Sequence, residues 1–251
     1  MAFILDLDGV IWLSDDVIPG SADAVAALRE AGHRVLFLTN NSSRPVSYIL
    51  GKLSGMGIDA EADEVATSAQ AAASLVEPGK RALVCAGVGV EEALAERGAE
   101  GVVEGPADAV VVGYHREFDY GRLTAAFRAV QAGAHLIGTN DDPTYPTPEG
   151  PVPGGGALLA AVAVATGVEP EVAGKPYQPM AELVRARLGE DVDGAVLVGD
   201  RPSTDGLMAR RLKVPFALVF TGVTGPDEVP DDPPPDHTAD DLQQLVERLL
   251  D

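Results

Sequence analysis

Short apolar runs alternate along this chain with longer stretches of helical period, and that alternation restricts the folds open to it. Phe3 to Leu7, Arg34 to Leu38, Ala82 to Cys85, Ala109 to Val112, His135 to Ile137, Ala195 to Val198 and Phe216 to Val219 read as strands. Helices are predicted between them at Ser21 to Glu30, Val46 to Leu53, Tyr120 to Gln131, Gly156 to Thr166, Met180 to Leu188 and Thr204 to Leu212. Ser21 is placed to cap the first helix, Ala24, Val25 and Leu28 share its apolar face, and Gly32 stops it. Strands separated by helices require right-handed crossovers, which predicts an α/β fold with a mainly parallel sheet. The Pro/Asp-rich stretch Pro226 to Pro235 reads as a surface loop before a last amphipathic helix, Asp240 to Leu249.

Composition narrows the functions. At 251 residues and 46% hydrophobic, the chain can bury one large domain or a domain with a smaller partner. Its longest apolar run, Ala157 to Ala165, is about half a membrane span, and the N-terminus lacks a basic segment, so neither membrane nor signal peptide is expected. The net charge of -21, from 39 acidic and 18 basic residues, excludes a nucleic-acid surface, because no basic stripe is available for phosphate contacts. The single cysteine, Cys85, lies in an apolar run and reads as a buried structural thiol, which fits a cytoplasmic protein. The four histidines, at 33, 115, 135 and 237, show no metal-ligand spacing. Gly87-Val88-Gly89 lacks the third glycine of a dinucleotide fingerprint.

Four segments point to phosphate chemistry. Asp6-Leu7-Asp8-Gly9 closes a strand with two acids two residues apart, which point the same way. Clustered carboxylates repel unless a cation sits between them, and Mg2+ favours one or two carboxylates plus phosphate oxygen. One acid can then attack phosphorus while the other handles the leaving-group proton. Thr39-Asn40-Asn41-Ser42-Ser43 follows a strand and enters a helix, where hydroxyl, amide and free N–H groups form a phosphate cradle. Lys175, one of only four lysines, is held between Gly174 and Pro176 and can neutralise phosphate oxygens. Gly199-Asp200 ends another strand, with Asp205 five residues on; Asp200 can complete a metal site and Asp205 support it from behind.

In order and chemistry these segments resemble the motifs of the haloacid dehalogenase superfamily, and the whole chain is similar to its 4-nitrophenylphosphatase-like branch. Asp6-Leu7-Asp8-Gly9-Val10-Ile11-Trp12, Thr39-Asn40-Asn41-Ser42-Ser43-Arg44, Gly174-Lys175-Pro176 and Gly199-Asp200-Arg201 with Thr204-Asp205 carry the resemblance. It implies a Rossmann-like core of residues 1–78 and 173–251 and an inserted α/β cap at 79–172, where Gly138 to Asp142 and Pro153 to Ala157 are similar to the cap signature. It further implies Asp6 as nucleophile, Asp8 as general acid/base, Thr39 and Asn40 as phosphate donors and Lys175 as the cation. Mg2+ would be held by Asp6, the Asp8 carbonyl and Asp200, with Asp205 in support. Pro202-Ser203 and Gly206 are unusual in the fourth motif, which bears on local helix geometry rather than on the ligand.

The implied reaction is hydrolysis of a small phosphorylated metabolite (a sugar, glycerol, glycolate or nucleotide phosphate) through an aspartyl-phosphate, with an aryl phosphate as a laboratory substrate. A mutase using the same site, and a phosphate-binding module without turnover, are the competing readings. The resemblance leaves open a homodimer through the cap.

Overall fold

The strand Ala2–Asp6 is buried along its whole length, and two neighbours flank it in parallel: Arg34–Thr39 on one side and Val196–Gly199 on the other. A run such as Phe3-Ile4-Leu5, apolar at every position, suits a strand covered on both faces, as the crossovers of a parallel sheet produce. The computed structural model describes residues 1–145 and 150–250. In it the chain divides into two compact units. The first comprises Met1–Thr39, Ile49–Ala66 and Ala181–Asp251; the second comprises Asn40–Tyr48 and Thr67–Met180.

The six-stranded sheet runs in the order His237–Ala239, Phe216–Val219, Val196–Gly199, Ala2–Asp6, Arg34–Thr39, Val65–Thr67. The chain moves outward in one direction from Ala2–Asp6 through the strands that follow it. It later returns to the other side at Val196–Gly199. The strand order therefore reverses between these two neighbours, which is where an open α/β sheet forms its ligand crevice, beyond the strands' carboxyl ends. The helices Ser21–Glu30 and Leu242–Leu250 pack against each other, burying Ala24, Val25 and Leu28 from one and Leu242, Leu245 and Val246 from the other.

The second unit carries a five-stranded parallel sheet in the order Glu171–Val172, His135–Gly138, Ala109–Val112, Arg81–Cys85, Glu100–Val102. Leu83, Val110, Val112 and Leu136 of this sheet meet Ala126, Val130, Leu159 and Val162 of the helices Tyr120–Gln131 and Gly155–Thr166. Cys85 belongs to this core; burial pushes its thiol up to about 11, with the Arg122 guanidinium pulling weakly the other way. A thiol so placed is a packing group rather than a nucleophile.

Two local expectations are corrected. Ser21 does not cap its helix: Gly20 occupies the N-cap in a left-handed conformation, and the Ser21 hydroxyl donates to the Val10 carbonyl at 3.0 Å. The predicted helix Thr204 to Leu212 is a π-helical turn over Pro202–Gly206 followed by an α-helix over Leu207–Leu212. Gly206, the last residue of the turn, is closely packed: a Cβ there would lie 2.8 Å from the Pro233 ring and 3.1 Å from Phe216. Among the described residues no helix is long and apolar enough to cross a membrane.

Candidate active site

Register brings the first two acids together. Leu5 pairs with Val198, so Asp6, the last residue of its strand, and Asp200, one residue past the end of the adjacent strand, meet at the reversal of strand order. The π-helical turn then folds Asp205 back over the end of Val196–Gly199, where its Oδ2 accepts from the Arg201 N–H at 3.1 Å. A π-turn widens the backbone locally, and such turns are frequent at functional sites. One carboxylate oxygen from each of Asp6, Asp200 and Asp205 lies within 4.8 Å of the others. All three are buried, at 8%, 4% and 0% exposure.

Three carboxylates so close and so dry cannot coexist as bare charges without a counter-charge. Their donors are all hard oxygens, which suits Mg2+ or Ca2+ and does not suit a thiophilic metal. Among the described residues this is the acidic or His/Cys cluster able to hold an ion, and no histidine takes part. The residues therefore fit the divalent cation that the sequence implies.

Backbone holds the acids in place. The Leu7 N–H donates to Asp6 Oδ1 at 2.8 Å, and the Val223 N–H donates to Asp200 Oδ2 at 2.6 Å. Asp200 is also wedged between two glycines. A Cβ at Gly9, where φ is +89°, would stand 2.6 Å from its carboxyl group, and one at Gly222 would stand 2.0 Å from Oδ2. Any side chain at either glycine would displace the carboxylate. No charged side chain marks the loop Thr221-Gly222-Val223 in the sequence; its signal is the Thr-Gly pair that follows Phe220, just beyond the strand Phe216–Val219.

Asp8 is half-buried in the turn after Asp6, and its Oδ1 accepts from the Trp12 ring N–H at 3.0 Å. Thr39 is buried at the end of its strand, one residue beyond Leu38, the partner of Asp6. The first unit thus gathers Asp6, Asp8, Thr39, Asp200 and Asp205.

The second unit gathers Asn40 and Lys175. Lys175 is 2% exposed, and its backbone is gripped at both ends by one side chain. Asn40 Oδ1 accepts from the Lys175 N–H at 2.7 Å, and Asn40 Nδ2 donates to the Lys175 carbonyl at 3.2 Å and to Asp142 Oδ2 at 3.1 Å. The Asn140 amide in turn donates to the Asn40 carbonyl at 2.8 Å. The Asn40 side chain is committed to fixing the lysine loop, so a phosphate contact from this residue would fall to its backbone N–H. Asn40→Ala is expected to cost about 1–3 kcal/mol of stability, because it strips the acceptor from a buried N–H. Urea unfolding measures the loss.

Comparison with known proteins agrees with this chemistry. Residues 3–100 match the family model of haloacid dehalogenase-like hydrolases, and residues 172–245 match a second HAD-hydrolase-like model. An acid sugar phosphatase of Staphylococcus saprophyticus is 34% identical over 252 residues, covering 99% of this chain and 97% of that protein. The p-nitrophenyl phosphatase of Archaeoglobus fulgidus superposes with a TM-score of 0.93 at 31% identity, over 98% of each chain. A glycerol phosphate phosphatase of Mycobacterium tuberculosis, solved in complex with magnesium, gives 0.89 at 34% identity, over 97% of this chain and 75% of that one.

Proposed function

This chain belongs to the haloacid dehalogenase-like hydrolases and is a Mg2+-dependent phosphatase of small phosphomonoesters, and we propose that Asp6 is its nucleophile and Asp8 its general acid/base. The observation that carries the assignment of Asp6 is its place in a buried carboxylate triad at the reversal point of a parallel sheet.

In the proposed reaction a carboxylate oxygen of Asp6 attacks phosphorus as the bond to the ester oxygen breaks. Asp8 gives its proton to that departing oxygen, leaving an aspartyl-phosphate and an alcohol. Asp8, now a carboxylate, takes a proton from water as the water attacks phosphorus, which breaks the bond to Asp6 and frees phosphate. Asp6, the Asp8 carbonyl and Asp200, with Asp205 behind them, would hold Mg2+, which would supply positive charge against the oxygens of the transferring group. Thr39, the Asn40 N–H and the Lys175 ammonium bind the same oxygens. Residues 79–172 act as the cap that selects the leaving group, and the proposal extends to a cytoplasmic homodimer formed through this region.

A panel of sugar, glycerol, glycolate and nucleotide phosphates, ranked by kcat/KM with free phosphate as the readout, tests the reading. We expect Mg2+-dependent phosphate release from several members and from 4-nitrophenyl phosphate, abolished by chelator. Isomerised ester without free phosphate would instead identify a mutase.

A further inference from the structure

The turn after Asp8 contains a buried group that the reaction above does not use. Trp12 is 4% exposed, and its ring N–H donates to Asp8 Oδ1 at 3.0 Å. The backbone ties Trp12 to the neighbours of Asp8 on both sides. The Gly9 N–H donates to the Trp12 carbonyl at 2.8 Å, and the Trp12 N–H donates to the Leu7 carbonyl at 3.2 Å. Trp12 also opens a short hairpin, Trp12–Leu13 against Asp16–Val17. Lys52 braces that hairpin from the helix Val46–Gly55. Its Nζ stands 4.2 Å from the centre of the indole ring, donates to the Ser14 carbonyl, and lies 3.7 Å from Asp15 Oδ1. One ammonium thereby holds both the ring and the tip of the hairpin.

An indole N–H can only donate. Oδ1 of a carboxyl group can accept from it whether the group carries its proton or not, so the bond persists through both halves of the reaction. An ammonium over the ring face is drawn to the ring's negative quadrupole and opposes its rotation. A group that must give a proton and then take one gains most from an aim that does not change between the two events.

We propose that Trp12, braced by Lys52, is a positioning residue for Asp8, holding the carboxyl group through Oδ1 so that Oδ2 serves the leaving oxygen. The inference rests on Asp8 being the general acid, and the test separates the two claims. It compares kcat/KM for glycerol phosphate, whose alkoxide needs a proton, with that for 4-nitrophenyl phosphate, whose phenolate leaves without one.

Trp12→Phe is expected to lower the first value about tenfold and the second less than twofold, and Lys52→Met to give the same pattern with a smaller loss. In an Asp8→Asn background, Trp12→Phe should change neither value further. Equal losses on both substrates, or no loss on either, would overturn the positioning role. An Asp8→Asn protein whose rate of aspartyl-phosphate formation falls equally with both substrates would overturn the acid assignment instead. If Trp12→Phe does not fold, Lys52→Met decides, since it keeps the indole N–H donor and removes only the ammonium that braces the ring; absence of a substrate-dependent loss in that variant overturns the inference.

Discussion

Asp6→Asn protein should lose phosphatase activity by on the order of 10⁴-fold or more in kcat, because the substitution removes the attacking oxygen while keeping the shape of the side chain. The amide oxygen of asparagine can still accept the Leu7 N–H that Asp6 Oδ1 now accepts at 2.8 Å, so the strand end should be preserved. Rapid mixing with 4-nitrophenyl phosphate followed by acid quench should trap a phosphorylated aspartate in the parent protein and none in the variant. Retention of full activity would exclude Asp6 as nucleophile.

Asp200→Asn is expected to produce the second largest loss, about 10³-fold in kcat, by weakening Mg2+ and the charge it sets against the transferring group. Its effect on stability should depend on the metal. A ligand at 100 times its dissociation constant stabilises a folded protein by about 2.7 kcal/mol. The parent protein should therefore show a Tm raised by several degrees on adding Mg2+, and the variant should show little change. In chelator the order should level or invert, since the substitution removes one of three mutually repelling buried carboxylates. A Mg2+-induced rise of equal size in both proteins would remove Asp200 from the ligand set.

Both residues were legible in the sequence for one physical reason. Each ends an apolar run long enough to be read as a buried strand, and the carboxyl end of such a strand is where an α/β sheet exposes polar groups. The supports of these residues were not legible. The grip of Asn40 on Lys175 joins positions 135 residues apart, and no local pattern announces it. Ser21 carries a cap signature, yet Gly20 takes the N-cap position and the Ser21 hydroxyl donates to the distant Val10 carbonyl. The helix foreseen at Thr204 begins instead as a π-turn over Pro202–Gly206, whose last residue packs against Pro233 and Phe216 from elsewhere in the chain. Strands of two or three residues, such as Glu171–Val172 and Glu100–Val102, are too short for any periodicity to reveal.

The central position of the strand Ala2–Asp6 also sets a condition on biosynthesis. Its pairing with Val196–Gly199 joins Phe3 to Val196, 193 residues later in the chain. At 5–20 residues per second, a ribosome takes about 10 to 40 s to supply that partner. During the interval one edge of a strand apolar from Ala2 to Leu5 stays unpaired, a template on which nascent chains can aggregate. Residues 1–195 already carry 28 acidic against 13 basic side chains, so nascent chains repel one another through that interval. The surface acidity that is foreign to phosphate binding thereby protects the strand that delivers Asp6 until the sheet closes around it.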